Sequence, residues 1–168
     1  MGPVREFTGL ASDSRDVKPG YLFAALSGHR DNGVAYISDA VKRGAAAVLA
    51  RPEARGEAEK LGVRFIADEN PRLRLARVAS AWYGAQPATV AAVTGTNGKT
   101  SVSVFLREIW EQLGHKAASM GTIGVVSPSG EIVLHHTTPE PIQIHALLAQ
   151  LKHDGVEHLA IEASSHGL

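Results

Sequence analysis

The chain has 168 residues, 44% hydrophobic and 20% charged, enough apolar material for one ordinary or two small globular domains and too much for wholesale disorder. Its 17 basic and 17 acidic side chains cancel to a formal net charge of zero, so no overall basic field draws it to nucleic acid or an anionic membrane. Cysteine is absent, which removes disulfide scaffolds, thiolate metal sites and cysteine nucleophiles together. The opening residues, Met1 to Glu6, hold no apolar signal core, and no later apolar run reaches membrane-spanning length. A cytoplasmic setting is expected.

In chain order, Tyr21 to Leu26 reads as a strand ended by Ser27-Gly28, and Tyr36 to Arg43 as a helix stopped by Gly44. Ala46 to Leu49 and Val63 to Ile66 are further buried strands, with a charged surface helix from Glu53 to Leu61 between them. Asn70-Pro71 opens a helix to about Tyr83, proline being suited to the first helical position. A second composition style begins near Gln86-Pro87, so two domains are expected, residues 1–86 and 87–168. Thr89 to Thr94 is a continuous apolar strand of the kind buried on both faces. Lys99 to Leu113 follows as a helix with Val102, Leu106, Ile109 and Leu113 along one face. Lys116 to Met120, Gly124 to Val126 and Ile132 to Leu134 are strand candidates, the last reached through a Pro128-Ser129-Gly130 turn. Helical spacing of Ile144, Leu147, Leu148 and Leu151 precedes a final strand, His158 to Ile161. The alternation predicts an α/β fold with a mostly parallel sheet. Leu168 follows that strand with no helix after it, and the chain is expected to be the N-terminal portion of something longer, with an unpaired sheet edge.

The densest chemistry lies in Val93-Thr94-Gly95-Thr96-Asn97-Gly98-Lys99-Thr100-Ser101, between a strand and an amphipathic helix. Glycines allow positive φ and close approach to an anion, while free amides and the helix dipole favour phosphate. Lys99 can reach terminal phosphates, and the Thr100 hydroxyl is placed for magnesium. The spacing is that of a shortened P-loop, with Val93 where the strict pattern has glycine. An ordinary strand-to-helix turn is the competing reading. It accounts less well for two glycines, Gly98-Lys99-Thr100 and both flanking elements at once.

Several segments resemble one family, the Mur ligases, and within it the MurE type. They are Asp13-Ser14-Arg15, Val17 to Gly20, Leu22 to Leu26, Gly28 to Gly33, Thr94 to Thr100, Thr137-Thr138-Pro139-Glu140 and Glu162 to Leu168. The resemblance implies a small N-terminal α/β domain for the UDP end of the substrate, followed by an incomplete P-loop-type parallel-sheet ATPase domain. It places Ser12, Ser14, His29, Arg30 and Asp31 at the UDP moiety and Gly95 to Ser101 at ATP. Thr137, Thr138 and Ser164 would hold the muramoyl-peptide part, with His136 beside them where relatives often carry asparagine. Thr100 and Glu162 are implied magnesium ligands, His166 belongs to the same motif as Glu162, and Lys99 is the implied catalytic cation.

The implied reaction joins diaminopimelate or lysine to UDP-N-acetylmuramoyl-L-alanyl-D-glutamate through an acyl phosphate, with ATP and Mg2+ as cofactors. The full-length form would be monomeric, with neither nucleic acid nor membrane as partner. The family's activating lysine and amino-acid-binding domain would lie beyond Leu168, so these 168 residues alone are expected not to catalyse ligation. Two alternatives stand beside this: a non-catalytic UDP-substrate or nucleotide-binding fragment, and another P-loop ligase such as a folylpolyglutamate synthase. The Asp13-to-Gly33 segment argues against the latter, which lacks that domain. Asp13-Ser14-Arg15 can also be a simple polar turn. The scattered histidines, without cysteines, do not suggest a zinc site.

Overall fold

The computed structural model describes residues 6–27, 32–134 and 139–163. The chain divides into two compact units, Met1–Trp82 and Tyr83–Leu168.

The first unit is a parallel sheet of β1 (Gly9–Ala11), β2 (Tyr21–Ala24), β3 (Ala47–Ala50) and β4 (Arg64–Ala67), in that spatial order. Both faces of its middle are buried, as crossover helices require of a parallel sheet. Phe23 and Val48 are register partners on one face, packed with Ile37 and Ala40 of α1 (Ile37–Lys42). Leu22, Ala24 and Leu49 are equally buried on the other. A 3-10 turn over Gly33–Tyr36 leads into α1, so the helix expected from Tyr36 starts one residue later. The charged segment splits likewise, into a turn over Pro52–Ala54 and α2 (Arg55–Lys60). α3 (Pro71–Tyr83) begins where the sequence places it: the Leu73 amide donates to Asn70 Oδ1 at 3.0 Å, and Pro71 needs no acceptor.

The second unit is a five-stranded sheet in the order β5 (Thr89–Val93), β9 (His158–Glu162), β6 (Ala117–Gly121), β7 (Gly124–Ser127), β8 (Gly130–Ile132). β5, β9 and β6 are parallel, as expected; β6, β7 and β8 are antiparallel. The two-residue link Thr122-Ile123 is too short for the crossover a parallel pair needs, so the chain reverses into a hairpin. α4 (Lys99–Gln112) and α5 (Pro141–His153) cover opposite faces. Leu148 and Leu151 of α5 pack on Ala118, Met120 and Leu159. The alternate residues Ala117, Ser119, His158 and Ala160 face α4, whose Trp110 ring lies 5.1 Å from that of His158.

Three expectations fail. β4 was expected to be a buried strand, yet its residues are exposed or half-buried at the edge of the first sheet. β5 was expected to be buried on both faces, yet its residues are exposed or half-buried, because among the described residues it pairs only with β9 and forms the sheet edge. The apolar stripe of α4 does not face the sheet either. Ser103 is its one buried residue, flanked by half-buried Leu106, Arg107 and Trp110. Val102, Ile109 and Leu113, joined by Phe105, point outward, with Phe105 59% and Leu113 69% exposed. Helical periodicity marks an apolar face but not the surface that covers it. An open strand edge beside such a stripe favours association. The double variant Phe105→Glu, Ile109→Lys should therefore shift the chain toward monomer in sedimentation velocity, while its thermal midpoint moves by only a few degrees.

Candidate functional site

β5 ends at Val93 and α4 begins at Lys99, and the backbone between them turns through two glycines. Gly95 has φ +146° and Gly98 φ +78°, values that a side chain at Cβ disfavours. Gly98 is the residue from which α4 starts, its carbonyl accepting from the Val102 amide at 2.9 Å. Among the described residues, none of the N–H groups from Gly95 to Ser101 donates to a protein acceptor. Residues 94–98 are exposed, Lys99 and Thr100 half-buried. The helix therefore presents its positive end and a run of unspent donors to solvent, which is what an anion requires. Lys99 bends back over the loop, and its Nζ donates to the Gly95 carbonyl at 2.7 Å. The ammonium is thus stationed at the loop. Buried Ser103 secures the first turn by donating from Oγ to the Thr100 carbonyl at 2.9 Å.

Glu162 reaches the same end of the sheet from a distant part of the chain. It is the register partner of Val93, and the next amide, Ala163, donates to the Val93 carbonyl at 2.9 Å. Its side chain points to the α4 side, as that of His158 does. Only 2% exposed, the carboxylate accepts from the Thr122 amide at 3.2 Å and from Thr122 Oγ1 at 3.3 Å. Thr122 is the residue that the sequence reading missed. Its only local signal is the Gly121-Thr122 pair at the carboxyl end of a parallel strand, where α/β ligand sites form.

In the first unit, Asp13 caps a 3-10 turn over Ser14–Asp16: its Oδ1 accepts from the Arg15 amide at 2.9 Å and from Arg15 Nε at 3.0 Å. Ser14 is buried and Ser12 half-buried. The polar-turn geometry is therefore real, and Ser14 also engages Asp39 of α1. His29, Arg30, Asp31, His136, Thr137, Thr138, Ser164 and His166 lie outside the described residues. At the opposite end of the second sheet, His115, Glu157 and His158 bring ligand-type atoms within 4.8 Å of one another. His115 Nδ1 lies 3.5 Å from Glu157 Oε2, and the His115 and His158 ring centroids are 4.3 Å apart with the planes tilted by 37°. Two of the three are exposed, so the group reads as a surface pair leaning on a half-buried ring.

A strand, a glycine turn with free amides, a lysine and a helix define the P-loop type of α/β protein. Comparison with known proteins narrows this. The family described as "Mur ligase family, catalytic domain" matches residues 6–83, and that described as "Mur ligase middle domain" matches residues 93–168. The chain belongs to the Mur ligase family.

It is 52% identical over 161 residues to the UDP-N-acetylmuramoyl-L-alanyl-D-glutamate--2,6-diaminopimelate ligase of Chelativorans sp. (strain BNC1), covering 96% of this chain and 33% of that protein. The ligase of the same name from Bradyrhizobium diazoefficiens is also 52% identical, over 97% of this chain and 33% of its own length. A solved structure of a ligase of that name superposes with TM-score 0.77 at 30% identity, over 96% of this chain and 32% of that one. The MurF ligase of Thermotoga maritima in complex with ADP shares the fold, with TM-score 0.59 at 20% identity, over 98% of this chain and 34% of that one. The chain thus spans about a third of the length of the curated relatives it matches. Among the described residues no helix is long and apolar enough to cross a membrane.

Two outcomes follow from this geometry. Gly98→Ala forces a side chain into the left-handed region and should cost about 1–2 kcal/mol, read by urea unfolding of the second unit. In the first unit, hydrogen bonds from Arg15 hold the Asp13 carboxyl below its ordinary value of 3.8, and hydrogen bonds from Ser14 and then Arg43 do the same for Asp39. Each contributes stability that is full above the unfolded value and lost as pH falls through the lowered folded one. Acid titration followed by circular dichroism should show less loss below about pH 4 in the Asp13→Asn, Asp39→Asn variant than in the parent.

Proposed function

We propose that this chain supplies the UDP-substrate-binding and ATP-binding parts of an ATP-dependent amide ligase of the MurE type in peptidoglycan synthesis. The observation that carries this reading is the unspent run of amides from Gly95 to Ser101, found in a chain about half identical to ligases that bear that name. Those names specify 2,6-diaminopimelate, which favours it over lysine as the amine donor.

The chemistry explains the parts. A carboxylate is a poor acyl donor to an amine, so its activation as an acyl phosphate, with ADP leaving, makes phosphate the later leaving group. The loop amides would hold the β- and γ-phosphates, and Lys99 would exchange the Gly95 carbonyl for a phosphate oxygen and neutralise charge there. Gly95, Thr96, Asn97 and Gly98 would shape the seat, with Thr100 and Ser101 closing it from the helix. In the first unit, Ser12, Ser14 and the His29-Arg30-Asp31 segment would grip the UDP end. His136, Thr137, Thr138 and Ser164 would hold the muramoyl dipeptide. Holding both substrates is the entropic part of the catalysis.

A magnesium ion fits the residues present. Glu162 offers a buried oxygen donor at the loop end of the sheet, and the Thr100 hydroxyl stands on the first turn of α4; hard oxygen donors are what this ion takes. When bound it would supply charge neutralisation on the phosphoryl oxygens.

The length covered favours a second, narrower reading for the chain taken alone: it binds both substrates and turns neither over. Isothermal titration of the purified chain with ATP and with UDP-N-acetylmuramoyl-dipeptide should show binding of each, with no amide formed when diaminopimelate is added. Lys99→Ala should weaken ATP binding about tenfold or more, the scale of a hydrogen bond to a charged group, and leave UDP-substrate binding unchanged. Failure of the parent chain to bind ATP would sink the reading.

A further inference from the structure

The Glu162 carboxyl is buried with less hydrogen bonding than its oxygens can accept. An ionised carboxylate offers about four acceptor sites, yet here one residue, Thr122, supplies both donors, at 3.2 and 3.3 Å. Among the described residues no cation pairs with it. Buried charges are normally paired or bound to metal, and the two donors from Thr122 leave acceptor sites on this carboxylate open. The surroundings are shaped to keep it. The side chain lies directly across Gly121, where a Cβ would stand 1.9 Å from Oε1 and 2.3 Å from Cδ. The glycine is required there by space and not by backbone angle, since its φ is not positive. β6 thus ends in a cradle of two parts. Gly121 leaves the room, and Thr122 clamps each oxygen from one side.

We propose that Gly121 and Thr122 are positioning residues: they lock the Glu162 carboxylate over the end of the sheet so that its remaining lone pairs face a divalent cation travelling with the nucleotide. The inference rests on the reading of the loop as an ATP site. Thr122 touches neither nucleotide nor cation; its hydroxyl fixes Oε2, and its amide fixes Oε1. A carboxylate held this way is already oriented before the cation arrives, which spares the cost of ordering it on binding. Its substitution should therefore alter the cation dependence of nucleotide binding and leave metal-free binding alone.

The test measures ATP dissociation constants for the 168-residue chain by calorimetry, once in EDTA and once in excess Mg2+. The parent should bind more tightly with Mg2+. Thr122→Val should lose about tenfold of that gain, as expected for removing a hydrogen bond to a charged group, with its EDTA value unchanged. Thr122→Ser, which keeps the hydroxyl, should retain the gain, and Glu162→Gln should lose it. If Thr122→Val does not fold by circular dichroism, Thr122→Ala reads the same loss. Full Mg2+ gain in the hydroxyl-free variant, or no gain in a parent that does bind ATP, overturns the inference while the ATP reading stands. A parent that binds no ATP under either condition overturns both.

Discussion

A helix of fourteen residues, Lys99 to Gln112, must begin somewhere, and its first amides must find acceptors or solvent. Here they find neither side chain nor backbone. Gly98, at φ +78°, starts the helix without the Ser, Thr, Asp or Asn cap that would consume a donor. Gly95, at φ +146°, lets the chain turn as it leaves the strand. The result is a preorganised set of dipoles whose reorganisation cost is borne during folding. Every functional statement about this chain depends on that open terminus, because charge on a phosphoryl group is stabilised most by donors that need not move.

The rest of the second unit serves to bring other groups to that terminus. Strand order does most of this. β9 inserts between β5 and β6, so Glu162 lies beside Val93, and the Gly121-Thr122 corner lies beside Glu162. Three segments far apart in the chain meet at one end of three parallel strands. The antiparallel hairpin of β7 and β8 extends the sheet on the side away from the loop.

Local signals carried much of the fold. The Asn70-Pro71 start of α3 and the apolar run of β5 were legible because cap chemistry and composition are local properties. The glycine turn before α4, with Lys99 bent back over it, was legible for the same reason: its pattern lies in consecutive residues. β1 was not, since Gly9–Ala11 is a strand only through its register with Tyr21–Phe23, and three residues show no alternation. Nor was the inward side of α4, where Ser103 is buried and Phe105 is not; the small residues of the facing sheet, not helix hydrophobicity, decide it. The Thr122–Glu162 contact spans 40 positions and exists only because of the strand order. Asp13-Ser14-Arg15 shows the limit from the other direction. A polar turn and a ligand contact need the same residue types, and only the turn is visible in the fold alone.

The facing of α4 by Ala117, Ser119 and Ala160 has a mechanical consequence. These small side chains lie between helix and strands, and the height of α4 above the sheet sets where the loop amides point. A single added methylene under Ser103 would act as a shim. It would lift one end of a rigid rod and re-aim its tip by leverage, so small residues beneath the helix calibrate the aperture at Gly95.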